Sequence, residues 1–274
     1  MEKLPVSICI LSWKSAANLK NTLKSYKKYG LLDMVDDITI LFQEVNEDDK
    51  KIAEKYKIKY IGLKENVGIG KGMKMLAENA SAQNILFLEH DWELIEDQNA
   101  LFSELKGGLD LLNNGFDVVR FRSRKNPGYP LISIRNKGKE LDYYDDWHEC
   151  TSPHLLESLH WLDPAVEFPD KIQKQGDFFV TTSRWANWTN NPYLVRKSFL
   201  LEKILPFAGE SVSLERNIAS WWVKQGFKIA QGEGLFTHKD LVKYPKKSIL
   251  RKILNKLKDK LFEQSSTIIN SKFL

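Results

Sequence analysis

Cysteine is almost missing from this sequence: only Cys9 and Cys150 occur in 274 residues, one in an apolar run and one in a polar segment. Two isolated thiols exclude a disulfide framework and fit a reducing, cytoplasmic setting. Apolar runs long enough to cross a bilayer are also missing. The run after Met1-Glu2-Lys3-Leu4-Pro5 reaches six residues before polar ones return, too short for the apolar stretch of a signal peptide. The glycosylation sequons Asn79-Ala80-Ser81 and Asn187-Trp188-Thr189 are therefore read as structural segments. No low-complexity tract occurs, and the 42% hydrophobic, 11% aromatic and 28% charged residues are those of an ordinary globular chain. The net charge is +5, but Lys243 to Glu263 alone holds eight Lys/Arg against two acids, so the body is close to neutral. Positive charge confined to a tail, without a reader motif, argues against nucleic acid as a partner.

What is present is alternation. Short apolar, β-branched runs end in polar residues and are followed by segments of helical periodicity. Val6–Leu11 leads through Ser12-Trp13 to a helix over about 18–28 closed by Gly30, and Ile38–Phe42 leads through Gln43-Glu44 to a helix near 48–56. Ile58–Leu63 leads through Glu65-Asn66-Val67-Gly68 to a helix over about 69–79, and Ile85–Leu88 ends in Glu89-His90-Asp91. A fifth unit has a helix near 99–113 and a strand at Val118–Arg122. Strands this apolar are covered on both faces, which predicts an α/β fold with a Rossmann-like, mostly parallel sheet flanked by helices.

Beyond the fifth unit the pattern loosens into an irregular half reaching about Pro192. Helices near 196–205 and 211–224, a strand at Phe227–Ala230 and the run Leu235-Phe236-Thr237-His238 follow. Ligands of open parallel sheets bind beyond the carboxyl ends of the strands, so the four polar clusters are expected to converge there.

Three motifs carry a resemblance: Val6-Ser7-Ile8-Cys9-Ile10-Leu11-Ser12-Trp13, Asn66-Val67-Gly68-Ile69-Gly70-Lys71-Gly72 and Ile85-Leu86-Phe87-Leu88-Glu89-His90-Asp91. In order and spacing the chain resembles the family 2 glycosyltransferases over about Pro5 to Asp97, and more loosely over Asn190 to His238. The resemblance implies a GT-A fold and an enzyme that moves a sugar from a UDP- or GDP-sugar to a hydroxyl of a glycan or lipid-linked acceptor, by inverting displacement. It divides the chain into a nucleotide-sugar-binding region (1–97), an acceptor-binding and catalytic half of the same unit (98–242) and a C-terminal tail (243–274).

By that resemblance Glu89-His90-Asp91 stands where the family carries its Asp-x-Asp, which holds Mn²⁺ or Mg²⁺ against the donor diphosphate. Asp91 is the expected metal ligand, and Glu89, longer than the usual Asp, reaches metal or ribose. A sparse set suffices, because such ions commonly use one or two carboxylates plus phosphates and water. His238 occupies a position where GT-A enzymes supply a further ligand; a hydrogen-bonded structural histidine is the other reading. Asn66, Gly68 and Lys71 belong to the phosphate-side loop, whose glycines let backbone approach the nucleotide ahead of a helix N-terminus. Ser12, Trp13 and Glu44 are expected to line the nucleotide pocket, although a tryptophan after a strand also packs into cores.

Glu215, eleven residues before Gly226, replaces the family's base-bearing Asp and would take the acceptor proton, with Glu210 as substitute. A helix-face salt bridge is its alternative. Trp185, Asn190 and Asn191 are acceptor-contact candidates, Asn190-Asn191-Pro192-Tyr193 being equally readable as a turn before a helix. His148, Cys150, His154 and His160 fit no closed zinc site, having one thiol, and with Trp147, Trp161 and Trp188 suggest acceptor-side packing.

In the tail, Ile249, Leu250, Ile253, Leu254, Leu257 and Leu261 form one helical stripe among lysines and arginines. Such an amphipathic helix fits an anionic membrane surface or docks on its own domain. Two rival functions remain at this level. A sugar nucleotidyltransferase would follow its first strand with a Gly-rich, Arg-containing loop, which Ser12-Trp13-Lys14-Ser15 is not. A catalytically silent sugar-nucleotide-binding module is suggested by Glu in place of Asp at Glu89 and Glu215.

Overall fold

The computed structural model describes residues 3–128, 163–207 and 214–239. The described residues belong to one compact unit, and Val242–Leu274 is a second segment. The second, with the basic stripe, lies outside the described residues, as do Glu210, Trp147, His148, Cys150, His154, His160 and Trp161. Among the described residues no helix is long and apolar enough to cross a membrane.

The first four apolar runs form β1 (Val6–Trp13), β2 (Asp37–Gln43), β3 (Lys59–Gly62) and β4 (Asn84–Glu89), ordered β3-β2-β1-β4 and all parallel. Three helices connect them: α1 (Ala16–Lys28), α2 (Glu47–Tyr56) and α3 (Ile69–Asn79). Each boundary has a local cause. Gly30 takes φ +80 just beyond α1, and Asn46 with Asp49 closes a capping box on α2.

The fully apolar strands divide their side chains between two cores. Ile8, Ile10, Ile40, Leu86 and Leu88 face Leu19 and Leu23 of α1. Cys9, Leu11, Leu41, Ile85 and Phe87 face Met73 and Leu76 of α3. Fully burying a Leu or Ile contributes about 1.5–3 kcal/mol, so this two-sided cover sets strand register strongly. At the opposite end of the strands Asp37 accepts hydrogen bonds from Ser7 Oγ at 2.5 Å and from Ser81 N and Oγ at 2.7 and 2.8 Å, and pairs with Lys59 at 2.6 Å.

The second half departs from the irregular stretch expected of it. After β5 (Trp92–Leu94), α4 (Gln98–Asn113, capped by Asp97) and β6 (Val118–Arg122), the chain adds β7 (Gln173–Gln175), β8 (Phe178–Thr182) and β9 (Tyr193–Arg196). Strand β9 lies antiparallel between β4 and β6, so the stretch after Pro192 is a central strand before it is a helix. The helical segment then runs as Lys197–Phe199, a π turn Leu200–Ile204 and a 3₁₀ turn Leu205–Phe207. Helix α5 (Leu214–Trp222) follows.

The strand expected at Phe227–Ala230 and the run Leu235-Phe236-Thr237-His238 belong to one strand, β10 (Lys228–His238), whose register with β6 shifts between Gln231 and Phe236. Beyond that bulge β10 pairs with β5, placing His238 opposite Trp92. The tips of β1, β2 and β4 and the end of β10 therefore face one edge of the sheet.

Candidate active site at the strand tips

Asp91 is held by both halves of the chain. His90 N donates to Leu11 O at 3.0 Å, Thr22 Oγ1 to His90 O at 2.8 Å, and Lys239 N to Asp91 O at 2.8 Å. These bonds fix the backbone that carries the side chain. One carboxylate oxygen, Oδ2, lies 3.1 Å from His238 Nε2 and 3.9 Å from His90 Nε2. The other, Oδ1, is buried with no partner. Burial alone would raise the Asp91 pKa, but the His238 hydrogen bond and the neighbouring histidine charges outweigh it, and the result is lowered. His238 is braced in turn, its ring standing edge-on to Trp92 at 4.9 Å, while the Arg122 guanidinium lies 5.3 Å from the other ring system of that contact, Trp92.

Glu89 closes β4 two residues earlier. Burial first, then the charges of Asp91 and Glu215, push its carboxyl well above the ordinary range. That brings Glu215, from the first turn of α5, into electrostatic reach of the strand-tip acids. Glu215 Oε1 accepts the Asn190 backbone N–H at 2.8 Å. Tyr193, fully buried between Phe87 and Trp188, feels both Glu89 and Glu215. The side-chain oxygen of Asn190 is buried without a partner, Asn191 donates its N–H to Thr189 Oγ1 at 3.2 Å, and Trp185 in the loop after β8 carries Lys171 over its ring at 4.5 Å.

Loops after β1, β2 and β3 form a second group. Trp13 is 38% exposed, so it is not packed into the core, and its Nε1 donates to Glu44 Oε1 at 3.0 Å. Lys14 forms an ion pair with the same carboxylate, and these two bonds hold Glu44 below its ordinary pKa. Both Lys14 and Glu44 sit at positive φ, +47 and +55, so each strand ends in a sharp reversal. Gln43 Oε1 accepts the Val67 N–H at 2.8 Å, which ties the β2 tip to the Asn66 loop, and Asn66 Oδ1 accepts the Gly68 N–H at 2.8 Å. Gly68 takes φ +84 before α3, where Lys71 is exposed; Gly72 lies so close to Leu11 that an added Cβ would meet it at 2.8 Å. Ser12 is buried, with its Oγ unpartnered.

Sequence reading missed β5, and with it Trp92, which seats His238. The one available signal was the alternation in Trp92-Glu93-Leu94, too short to separate from a loop. No group of three or more His, Cys, Asp or Glu side chains forms a ready-made metal cage among the described residues. The unpartnered Asp91 oxygen beside an imidazole nonetheless fits a hard-to-borderline divalent ion that takes its remaining ligands from phosphate and water.

Against solved structures the chain aligns with TarS 1-349 of S. aureus over 87% of its own length and 60% of that chain, at 13% identity and TM-score 0.53. The chain has the GT-A fold. TarS 1-349 in complex with UDP-GlcNAc matches with TM-score 0.51 at 12% identity, covering 89% of this chain and 60% of that one. The mannosyltransferase PcManGT of Pyrobaculum calidifontis, in complex with GDP-Man and Mn²⁺, matches with TM-score 0.52 at 8% identity, covering 90% and 59%. The chain thus spans about 60% of the length of these GT-A structures, and at such identities the likeness is one of fold. No family model matches the sequence, and no curated protein matches it.

Proposed function

We propose that this GT-A chain is a metal-dependent glycosyltransferase that moves a sugar from a UDP- or GDP-sugar to a hydroxyl of a glycan or lipid-linked acceptor. The observation that carries the reading is Asp91: a carboxylate at a strand tip, its Oδ2 held by His238 at 3.1 Å and its Oδ1 buried without a partner. In this reading Asp91, with Glu89 and His238, holds Mn²⁺ or Mg²⁺, and Ser12, Trp13, Glu44, Asn66, Gly68 and Lys71 take the nucleotide-sugar. The bound cation supplies Lewis-acid neutralisation of the diphosphate leaving group.

The chain's own residues do the rest. Trp13 offers a partly exposed ring for stacking, and Glu44, held by Trp13 and Lys14, presents an acceptor to a base or ribose N–H or O–H. Gly68 keeps the approach to α3 free of side-chain atoms, so donor phosphate meets backbone N–H groups. Glu215 removes the proton as the acceptor oxygen bonds to the anomeric carbon and the bond to the diphosphate breaks, with inversion. Its hydrogen bond to Asn190 N fixes one oxygen and leaves the carboxylate oriented by a buried loop. Trp185, Asn190 and Asn191 belong to the acceptor side, and the basic tail is the segment suited to an anionic membrane surface.

A panel of sugar nucleotides incubated with the full chain, with and without Mn²⁺ or Mg²⁺, tests this. Metal-dependent release of nucleoside diphosphate, raised by acceptor, is the expected result. Tight donor binding without turnover would mean a silent module, and no binding at all would remove the proposal.

A further inference from the structure

The chain outside its tail is close to neutral, yet its lysines are not spread evenly. Helix α1 carries Lys20, Lys24, Lys27 and Lys28 and no acid, and all four are exposed. Leu19, Leu23 and Tyr26 turn the opposite side of the helix into the core, so the lysines share the outer one. Lys20, Lys24 and Lys28 stand at successive i, i+4 positions, where like charges oppose one another and destabilise the helix. The negative end of the helix dipole favours Lys27 and Lys28 in the last turn but does not reach Lys20 or Lys24.

Helix α2 continues the face. A hollow of about 420 Å³ between the two helices is lined by Ala16, Ala17, Ile52 and Tyr56 together with Lys20, Lys51 and Lys55. A second, of about 600 Å³, lies at the C-terminal ends of both helices, with Lys27, Lys55 and Lys57 in its lining. Most acids on this side are taken. Asp48 pairs with Lys51 at 3.9 Å, Glu47 with Lys50 at 2.6 Å, Asp37 with Lys59 at 2.6 Å and Asp36 with Lys3 at 3.0 Å. Among the described residues Lys20, Lys24, Lys27, Lys28, Lys55 and Lys57 have no acid at ion-pair distance, against the likewise unpaired Asp33 and Glu54.

We infer that the outer face of α1 and α2 is a docking surface for an anionic lipid bilayer. Self-repelling charges that no contact of the fold requires are explained by a partner that neutralises them. The stripe from Lys20 to Lys28 covers about 12 Å of helix, so its lysines meet one surface together. The chemistry of the charges favours headgroups over nucleic acid. Every cation of the face is lysine, a compact charge suited to a diffuse field, and no arginine, the residue of planar phosphate recognition, occurs before Arg120. Between the helices the partly exposed Ala16, Ile52 and Tyr56 give the edge of the hydrocarbon a surface to meet, and a tyrosine ring suits headgroup level. Because α1 starts three residues after Trp13, the face begins beside the strand tips, and docking on it keeps that edge of the sheet at the bilayer border.

This surface is distinct from the basic tail, and the inference does not need the sugar chemistry. The test uses the full chain with vesicles of phosphatidylcholine containing about 30% phosphatidylglycerol or none. In wild type, lysine acetylation followed by mass spectrometry should slow severalfold at Lys20, Lys24 and Lys27 on the anionic vesicles and stay unchanged on the neutral ones. No sedimentation with anionic vesicles, or unchanged labelling of these lysines in vesicle-bound protein, would overturn the inference, the latter assigning membrane binding to the tail. Lys20→Gln, Lys24→Gln, Lys27→Gln and Lys55→Gln combined should lower the partition coefficient on anionic vesicles at least about 30-fold, since one lysine at such a surface is worth roughly fivefold. The same loss of charge at the exposed Lys74, Lys174, Lys203 and Lys224 should lower it less than about fivefold, and equal losses in the two variants would reduce the effect to net charge and refute a dedicated face. Should the first variant not fold, the labelling of wild type still decides. Protection of these lysines by a single-stranded RNA oligonucleotide and not by anionic vesicles would assign the face to nucleic acid instead. Docking without any sugar transfer would leave the inference standing and count against the proposed function alone.

Discussion

Replacing Asp91 by Asn changes one atom and removes one charge, which separates its chemical role from its structural one. The carboxylate is almost enclosed, with 14% of its side chain exposed, and is ionised because His238 and His90 offset its burial. Loss of a hydrogen bond to a charged group costs about 1.5–3 kcal/mol. Relief from keeping a buried charge returns a similar amount. The two nearly cancel, so Asp91→Asn should melt within about 5 °C of wild type, since 1 kcal/mol corresponds to about 2–4 °C at this size.

Activity should behave differently. Charge stabilisation through a bound cation is worth several kcal/mol, and each 1.36 kcal/mol is tenfold in rate, so kcat for donor turnover should fall about 10²- to 10³-fold. The assay is metal-dependent nucleoside diphosphate release at saturating donor, with melting followed in parallel. A variant that turns over within about tenfold of wild type while binding Mn²⁺ equally well would refute the assignment of Asp91.

Three further predictions follow from other contacts. Glu215→Gln keeps an oxygen for the Asn190 N–H, so it should fold and bind donor normally while transfer to acceptor drops about 10²-fold or more; unchanged transfer in steady-state assays would exclude the base role. Gly234→Ala must place a Cβ 2.2 Å from Arg122 O at φ +86 and should lose more than about 3 kcal/mol by urea unfolding, whereas Gly68→Ala, with nothing within 4 Å, should lose only the about 1–3 kcal/mol of its backbone conformation, φ +84 and ψ 167. Equal losses at the two sites would show that the close approach to Arg122 is relieved. Asp37 has its pKa depressed: burial would raise it, but Lys59, Ser7 and Ser81 prevail. Its stabilisation, about 2 kcal/mol, is therefore present above the ordinary carboxylate range and is lost as pH falls below about 4. The wild type minus Asp37→Asn difference in urea midpoint should shrink from pH 7 to pH 3, and a difference that stays constant would contradict the sign.

The parallel half of the sheet was legible because β1, β2 and β4 are buried along most of their length and β1, β2 and β3 are each followed by a helix. Val6–Trp13 and Asn84–Glu89 read as uniform apolar runs, and the polar residues that end them mark the sheet edge without any tertiary information. The antiparallel half was not. Tyr193–Arg196 is four residues long after a proline, and its place between β4 and β6 depends on partners more than seventy residues away. Local pattern holds no record of such partners.

The same division runs through the site. Sequence alone nominated Asp91 and His238 as separate residues with separate alternatives, and it nominated the Gly68 loop and the tips carrying Ser12 and Glu44. It did not contain the 3.1 Å contact across 147 residues, the Trp92 ring that seats His238, or the hydrogen bond from the Gly234 N–H inside the bulge to Glu104. Periodicity and turn chemistry act over a few residues and set which elements form. Where two remote side chains meet is decided by how a long strand bends and which neighbour it pairs with, and only the packed sheet determines that.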